Sequence, residues 1–263
     1  MKIELNYLKK NRCYTNPTKI KPVKLVLHSL GVAQPKCDGV INSWNNSTTS
    51  VSVHAFVETD RIVQTLPWDY RAWHVGSGKN GSYNTCAVGV EICEPKGHTY
   101  NGGTMIGYDI EKNKEYFNKV YNNAVDLFAH LCLIYDLSPT KDILCHSEVH
   151  KLGYGSNHAD VMHWFPKHGK SMDTFREDVR KRMNTPSKTI TRESSKEDIK
   201  WLQEHLNSAL VGHSFVPLKV DGIYGNKTRI AVLIYWESLG WNKDGQDDGW
   251  RAGVKTVRKM ISK

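Results

Sequence analysis

No apolar run in this sequence approaches the ~20 residues that cross a bilayer as a helix, so no membrane span is expected. The six cysteines (Cys13, Cys37, Cys86, Cys93, Cys132 and Cys145) contain no CxxC pair, and they read as free buried thiols rather than a disulfide framework. Cys132 and Cys145 sit in apolar runs and read as core residues. The chain has no HExxH motif, no zinc-finger spacing and no basic region joined to heptads. It also lacks internal repeats and low-complexity tracts. The opening MKIELNYLKKNRCYTNPTKIKP is charged and has no apolar leader core, so the expectation is synthesis in the cytoplasm without a signal peptide.

What is present is the composition of a globular protein, 39% hydrophobic, 24% charged and 10% aromatic. The 263 residues suffice for one full domain and a small second one. A net charge of +9, spread along the chain, favours polyanionic partners by long-range attraction. The missing nucleic-acid motifs argue against DNA or RNA as that partner.

Periodicity divides the first 184 residues into strands and helices. Val23–His28 is a short apolar run after Pro22 and reads as a buried strand. Strands are expected at Val51–Glu58 and Arg61–Leu66, joined by a turn at Thr59-Asp60, and at Ala87–Cys93, where Pro95 stops further pairing. From Lys114 to Tyr135, apolar residues recur at three- and four-residue steps, one face of a helix. Ile143–His146 reads as another strand and Met172–Met183 as a closing helix. Strands alternating with helices predict an α/β domain, a mixed central sheet flanked by helices, over 1–184. Residues 185–195 are polar and aperiodic and read as a linker. Residues 196–263 hold an amphipathic segment, Lys196–Leu210, a loop Val220–Thr228 and an apolar helix Arg229–Leu239. They read as a small all-α domain of three helices.

Among the 12 histidines, His28 and His146 end strand-like runs, where a sheet can present a ligand to a cleft. Two imidazoles and one carboxylate or thiolate, with a fourth position left to water, make a catalytic zinc site, and Asp160 in the polar Ser156–Phe165 loop is the candidate third ligand. Spacing alone does not establish the set, because 118 residues separate the two histidines and a strand-end histidine is commonly structural.

Four segments in order carry a resemblance: Val26-Leu-His-Ser29; Val51-Ser-Val-His-Ala-Phe-Val57 with Arg71-Ala-Trp-His-Val-Gly76; Val88-Gly-Val-Glu-Ile92; and Cys145-His-Ser-Glu148 with Ser156-Asn-His-Ala-Asp160. Over roughly residues 20–183 the chain resembles the type 2 N-acetylmuramoyl-L-alanine amidases, relatives of peptidoglycan recognition proteins and phage lysozymes. The resemblance implies Zn2+ bound by His28, His146 and Asp160, with Glu91 as the catalytic base. It implies hydrolysis of the amide between N-acetylmuramic acid and L-alanine in bacterial peptidoglycan, as in an endolysin or autolysin acting on the wall after release or lysis. The family's frequent lysine two positions before the third ligand is His158 here, and the resemblance gives His158 the oxyanion-stabilising role. His54 and the pair Trp73-His74 are secondary candidates; His150, His163 and His168 read as structural or exposed, and Trp164-Phe165 as core. Anionic wall polymers are the polyanions that fit the charge.

The tail resembles the PG_binding_1 type of peptidoglycan-binding module through Ile199-Lys-Trp-Leu-Gln203, Val220-Asp-Gly-Ile-Tyr-Gly225 and Thr228, with Thr228 or Asn226 as the expected helix cap. Two rival readings stand beside the amidase: a recognition protein without metal, and a zinc peptidase cutting within the stem peptide.

Overall fold

The computed structural model describes residues 3–183, 189–241 and 248–261, and the chain falls into two compact units, residues 1–183 and 184–263. The first unit runs β1 (Ile3–Leu5), α1 (Arg12–Thr15), β2 (Lys24–Ser29), α2 (Asp38–Trp44), β3 (Ala55–Val57) and β4 (Ile62–Gln64). It continues with β5 (Ala87–Ile92), β6 (Thr99–Asn101), β7 (Thr104–Ile106), α3 (Ile110–Tyr135), α4 (Pro139–Asp142), β8 (Ile143–Cys145), α5 (His146–Lys151) and α6 (Met172–Arg182).

Six strands form one mixed sheet in the order β1-β4-β3-β5-β2-β8; β3 and β4 pair antiparallel and the other neighbours are parallel. Side chains alternate between the two faces of each strand. Leu25, Leu27, Val88, Val90 and Ile92 point to a core shared with Phe117, Ala124 and Phe128 of α3 and Phe175 of α6. The opposite face carries Val26 and Ala87, packed with Val75 and Val149, then His28 and Glu91 one pleat further along. Both faces of β2 and β5 are covered, which is why these strands read as continuous apolar runs. A lone glutamate in such a strand is an exception with a cause.

Several boundaries differ from the sequence reading. The strand expected over Val51–Glu58 shortens to Ala55–Val57: the His54 carbonyl, shared by the Thr65 and Leu66 amides, makes the last backbone hydrogen bonds on the β4 side, and Val51 makes only an isolated bridge to Trp73. The long helix starts four residues earlier than its periodicity indicates, at Ile110, where the Asp109 side chain accepts the Lys112 amide and caps it. β1, α1, α2 and the β6–β7 hairpin carried no period long enough to read.

The second unit contains α7 (Lys196–Ala209), α8 (Asn226–Ser238) and α9 (Val254–Ile261). Ile199, Leu202 and Leu206 pack with Val232, Tyr235, Trp236, Val257 and Met260. Buried Gln203 organises the loop before α8: its Oε1 accepts the Asp221 and Gly222 amides at 3.0 and 2.9 Å, and its Nε2 donates to the Ile223 carbonyl at 3.1 Å. Gly222 has φ +76°, and a Cβ there would lie 3.0 Å from the Lys196 carbonyl, so glycine is required. Neither Thr228 nor Asn226 caps α8; Gly225 is the N-cap, and Thr228 lies inside the helix with its hydroxyl on the Ile223 carbonyl. Of the expected linker, residues 185–188 lie outside the described residues, whereas Ile190 is fully buried in this unit and bridges Ala252. Among the described residues no helix is long and apolar enough to cross a membrane.

Candidate metal centre

Three adjacent parallel strands bring the site together. His28 lies near the end of β2, directly opposite Glu91 on β5 in the strand register. His146 is the first residue of α5, immediately after β8, the other neighbour of β2. Asp160 arrives from the irregular loop that follows α5. His28 Nδ1 and His146 Nδ1 lie 2.8 and 3.0 Å from the same oxygen, Asp160 Oδ2, and 3.2 Å from each other. Among the described residues this is the set of three ligand-type side chains that could hold a metal ion, their atoms all within 4.8 Å.

The outer hydrogen bonds show what the inner atoms offer. The Val75 carbonyl can only accept, so the Ser156 hydroxyl donates to it at 3.2 Å and receives the His146 Nε2–H at 3.3 Å. His146 Nδ1 then faces Asp160 with a lone pair, an arrangement of two acceptors that calls for a cation between them. On the other side, His28 Nε2 contacts His74 Nδ1 at 2.9 Å, so His74 orients His28 as Ser156 orients His146. Burial outweighs the neighbouring Asp160 and lowers the His28 pKa, keeping the ring neutral as a ligand must be. The donor set therefore fits a divalent ion of the zinc type.

His74 fits because residue 89 has no side chain. A Cβ on Gly89 would come within 2.5 Å of the imidazole. His54 belongs to the scaffold: its Nδ1 accepts the Gly89 amide at 3.0 Å and its Nε2–H donates to the Tyr70 carbonyl at 2.7 Å. Burial holds this ring neutral, with its pKa lowered to about 4.

Glu91 is half-buried, and its Oε2 has no hydrogen-bond partner among the described residues. Burial, then the charges of Asp160 and Glu94, push its pKa well above the carboxylate range. His158 lies exposed in the loop, its ring stacked on His146 with centroids 4.5 Å apart. Trp73 is 41% exposed beneath the Arg71 guanidinium. Of the histidines read as structural, His150 contacts the Gly155 carbonyl and His168 pairs with Tyr108 and stacks on Phe117. Trp164 and Phe165 are core.

Sequence reasoning passed over a second polar cluster beside the first. Glu94, fully buried, accepts from the Gly31 amide and His163 through Oε1 (3.0 and 3.3 Å) and from His98 and Tyr100 through Oε2 (2.9 and 2.7 Å). Burial alone would raise its pKa, but these donors prevail and lower it.

With this geometry in place, the comparisons with known proteins decide the family. The family model described as N-acetylmuramoyl-L-alanine amidase matches residues 18–163. The chain belongs to this amidase family. It is 30% identical over 132 residues to the N-acetylmuramoyl-L-alanine amidase CwlA of Bacillus sp, a stretch that is 50% of this chain and 46% of that protein. It is 28% identical over 160 residues to a bifunctional autolysin of Staphylococcus aureus, covering 58% of this chain and 11% of the autolysin. The chain thus spans less than half the length of either curated relative. Among solved structures, the Staphylococcus aureus hydrolase AmiA superposes with a TM-score of 0.53 at 27% identity, covering 70% of this chain and 83% of that one. PlyL shares the fold at a TM-score of 0.51 and 23% identity, covering 68% of this chain and 97% of that one. These neighbours have the mixed α/β fold of the amidase unit.

Proposed function

We propose that this amidase-family chain hydrolyses the amide bond between N-acetylmuramic acid and L-alanine of bacterial peptidoglycan, with Zn2+ held by His28, His146 and Asp160. The observation that carries the reading is the convergence of three metal-ligand atoms beside the unpartnered carboxyl oxygen of Glu91. Zinc bound there supplies Lewis acidity toward water and the scissile carbonyl.

The chain's own residues supply the rest. Glu91, whose Oε2 is unpartnered opposite His28 in the strand register, takes a proton from the attacking water and delivers it to the departing alanine nitrogen, and its raised pKa favours holding that proton between the two steps. The expelled amine leaves with its hydrogen bond to the same carboxyl. His158, exposed and stacked on His146, stands at the rim and donates to the oxyanion. His74 and Ser156 keep the two ligand rings from turning.

The second unit is read as a wall-binding module. A cavity of about 710 Å³, lined by apolar Val216, Ile223 and Ile230 and by polar Lys219, Asp221 and Lys227, supports this reading. Exposed Val216 (84%) and Ile223 (64%) give a contact surface. Attachment would raise the effective concentration of the hydrolytic site at its substrate. The +9 charge favours walls rich in anionic polymer. The biological role that fits is an endolysin or autolysin.

Mass spectrometry of digested sacculi tests the bond cleaved. New lactyl carboxyls and alanine N-termini are expected; cuts inside the stem peptide would replace this reading with a zinc peptidase, and no product would favour a recognition protein.

A further inference from the structure

Asp160 differs from its fellow ligands in its support. His28 sits on a strand and His146 starts a helix, but Asp160 stands in a loop without regular structure. The next residue, Val161, has φ +52° and is fully buried. A β-branched residue crowds its own backbone in the left-handed region and stays there only if the surroundings hold it. The Val161 amide donates to Ser29 Oγ at 3.4 Å, and its carbonyl accepts from the Trp164 and Phe165 amides at 3.0 and 2.7 Å.

Ser29 follows His28 directly, and its hydroxyl lies 3.2 Å from His163 Nε2. The same nitrogen is 3.3 Å from Glu94 Oε1, so its N–H is shared between the serine and the carboxylate. Glu94 also grips the turn after β2 through the Gly31 amide, and the β6–β7 hairpin through Tyr100, whose ring packs on the edge of His163. A single buried carboxylate thus links the loop that carries Asp160 to the strand that carries His28.

We propose that Glu94 and His163 are positioning residues: they hold the loop against the end of β2 so that the Asp160 carboxylate stays between the Nδ1 atoms of His28 and His146. The inference rests on reading those three residues as metal ligands.

The test is zinc affinity of the full chain, measured by competition with a chromophoric chelator, together with the visible spectrum of the cobalt(II)-loaded protein, which reports ligand geometry without turnover. His163→Leu is expected to raise the zinc Kd about 10- to 100-fold and to alter the cobalt bands. His163→Gln keeps an N–H donor in reach and is expected to restore most of the affinity and the spectrum. A folded His163→Leu protein with wild-type Kd and cobalt spectrum overturns the proposal. Should His163→Leu fail to fold, Ser29→Ala decides: a Kd rise approaching tenfold supports the tie, and a wild-type Kd and spectrum overturn it. A wild-type chain that takes up no zinc overturns the ligand reading as well, whereas unchanged variants of a zinc-binding wild type overturn this inference alone.

Discussion

Two carboxylates in the first unit each gather two imidazoles, and they do so differently. At Glu94 both oxygens are used, each receiving two donors, and the carboxylate is satisfied. At Asp160 both imidazoles converge on one oxygen, and the outer partner of His146 leaves that ring's lone pair turned inward. The ingredients are the same. Counting donors against acceptors separates a structural clamp, which is complete without an ion, from the proposed metal centre, which is not. His98 Nδ1, buried without a hydrogen-bond partner among the described residues, is the loose atom at the clamp and lies on the ring's other side from Glu94.

The sharpest way to break the contrast is at Glu91, which only the proposed metal centre would use. Glu91→Gln is expected to lower the hydrolysis rate by roughly 10²- to 10⁴-fold while zinc remains bound; metal analysis beside a turnover assay on purified sacculi checks both halves. Glu94→Leu should act first on stability. It strands four donors, and a loss of about 3 kcal/mol in denaturant unfolding of the metal-free protein is expected; a loss below about 0.5 kcal/mol would remove the clamp from the comparison. His74→Leu takes away only the outer partner of His28, so a Kd for zinc raised by about 10-fold or more is expected with unfolding little changed.

The smallest effect is a control on a third buried carboxylate, one with no imidazole. Burial would raise the Glu58 pKa, yet hydrogen bonds from Arg61, the Cys37 amide and Lys36 bring it down to about 2. A folded pKa below the ordinary 4.5 means the stabilisation is full above that value and is lost as pH falls toward about 2. Unfolding curves collected between these limits should show a shallower loss for Glu58→Gln than for the wild type, and equal slopes would contradict this account.

The sheet and the long helix were legible because their apolar residues keep strict periods, as Val88 to Ile92 and Phe117 to Tyr135 do. Short elements such as α1 and the β6–β7 hairpin were not, since four or three residues carry no period. Of the metal centre, His28 and His146 could be noticed as strand-end residues, but residue chemistry alone could not choose them from 12 histidines. The family resemblance made that choice. Two signals lay unread. Gly89 interrupts an apolar strand two residues before Glu91, and glycine inside a strand marks close approach, here by His74. Glu94 followed the same strand, but its donors come from Gly31, His98, Tyr100 and His163, positions that only the fold brings together.

The direct strand pairing of His28 with Glu91 has a further consequence. In a parallel pair, side-chain facing and spacing along the ladder are inherited from the backbone, so these two groups form one rigid gauge whose setting is the sheet's own ~4.8 Å repeat. A slip of one residue in β5 would turn Glu91 into the core beneath α3 and present Val90 or Ile92 in its stead. On the proposed role of Glu91, misregistered chains are silenced twice, by a carboxyl driven into a dry interior and by the loss of the proposed base, so a molecule able to act on its substrate is one whose central sheet has been assembled in register.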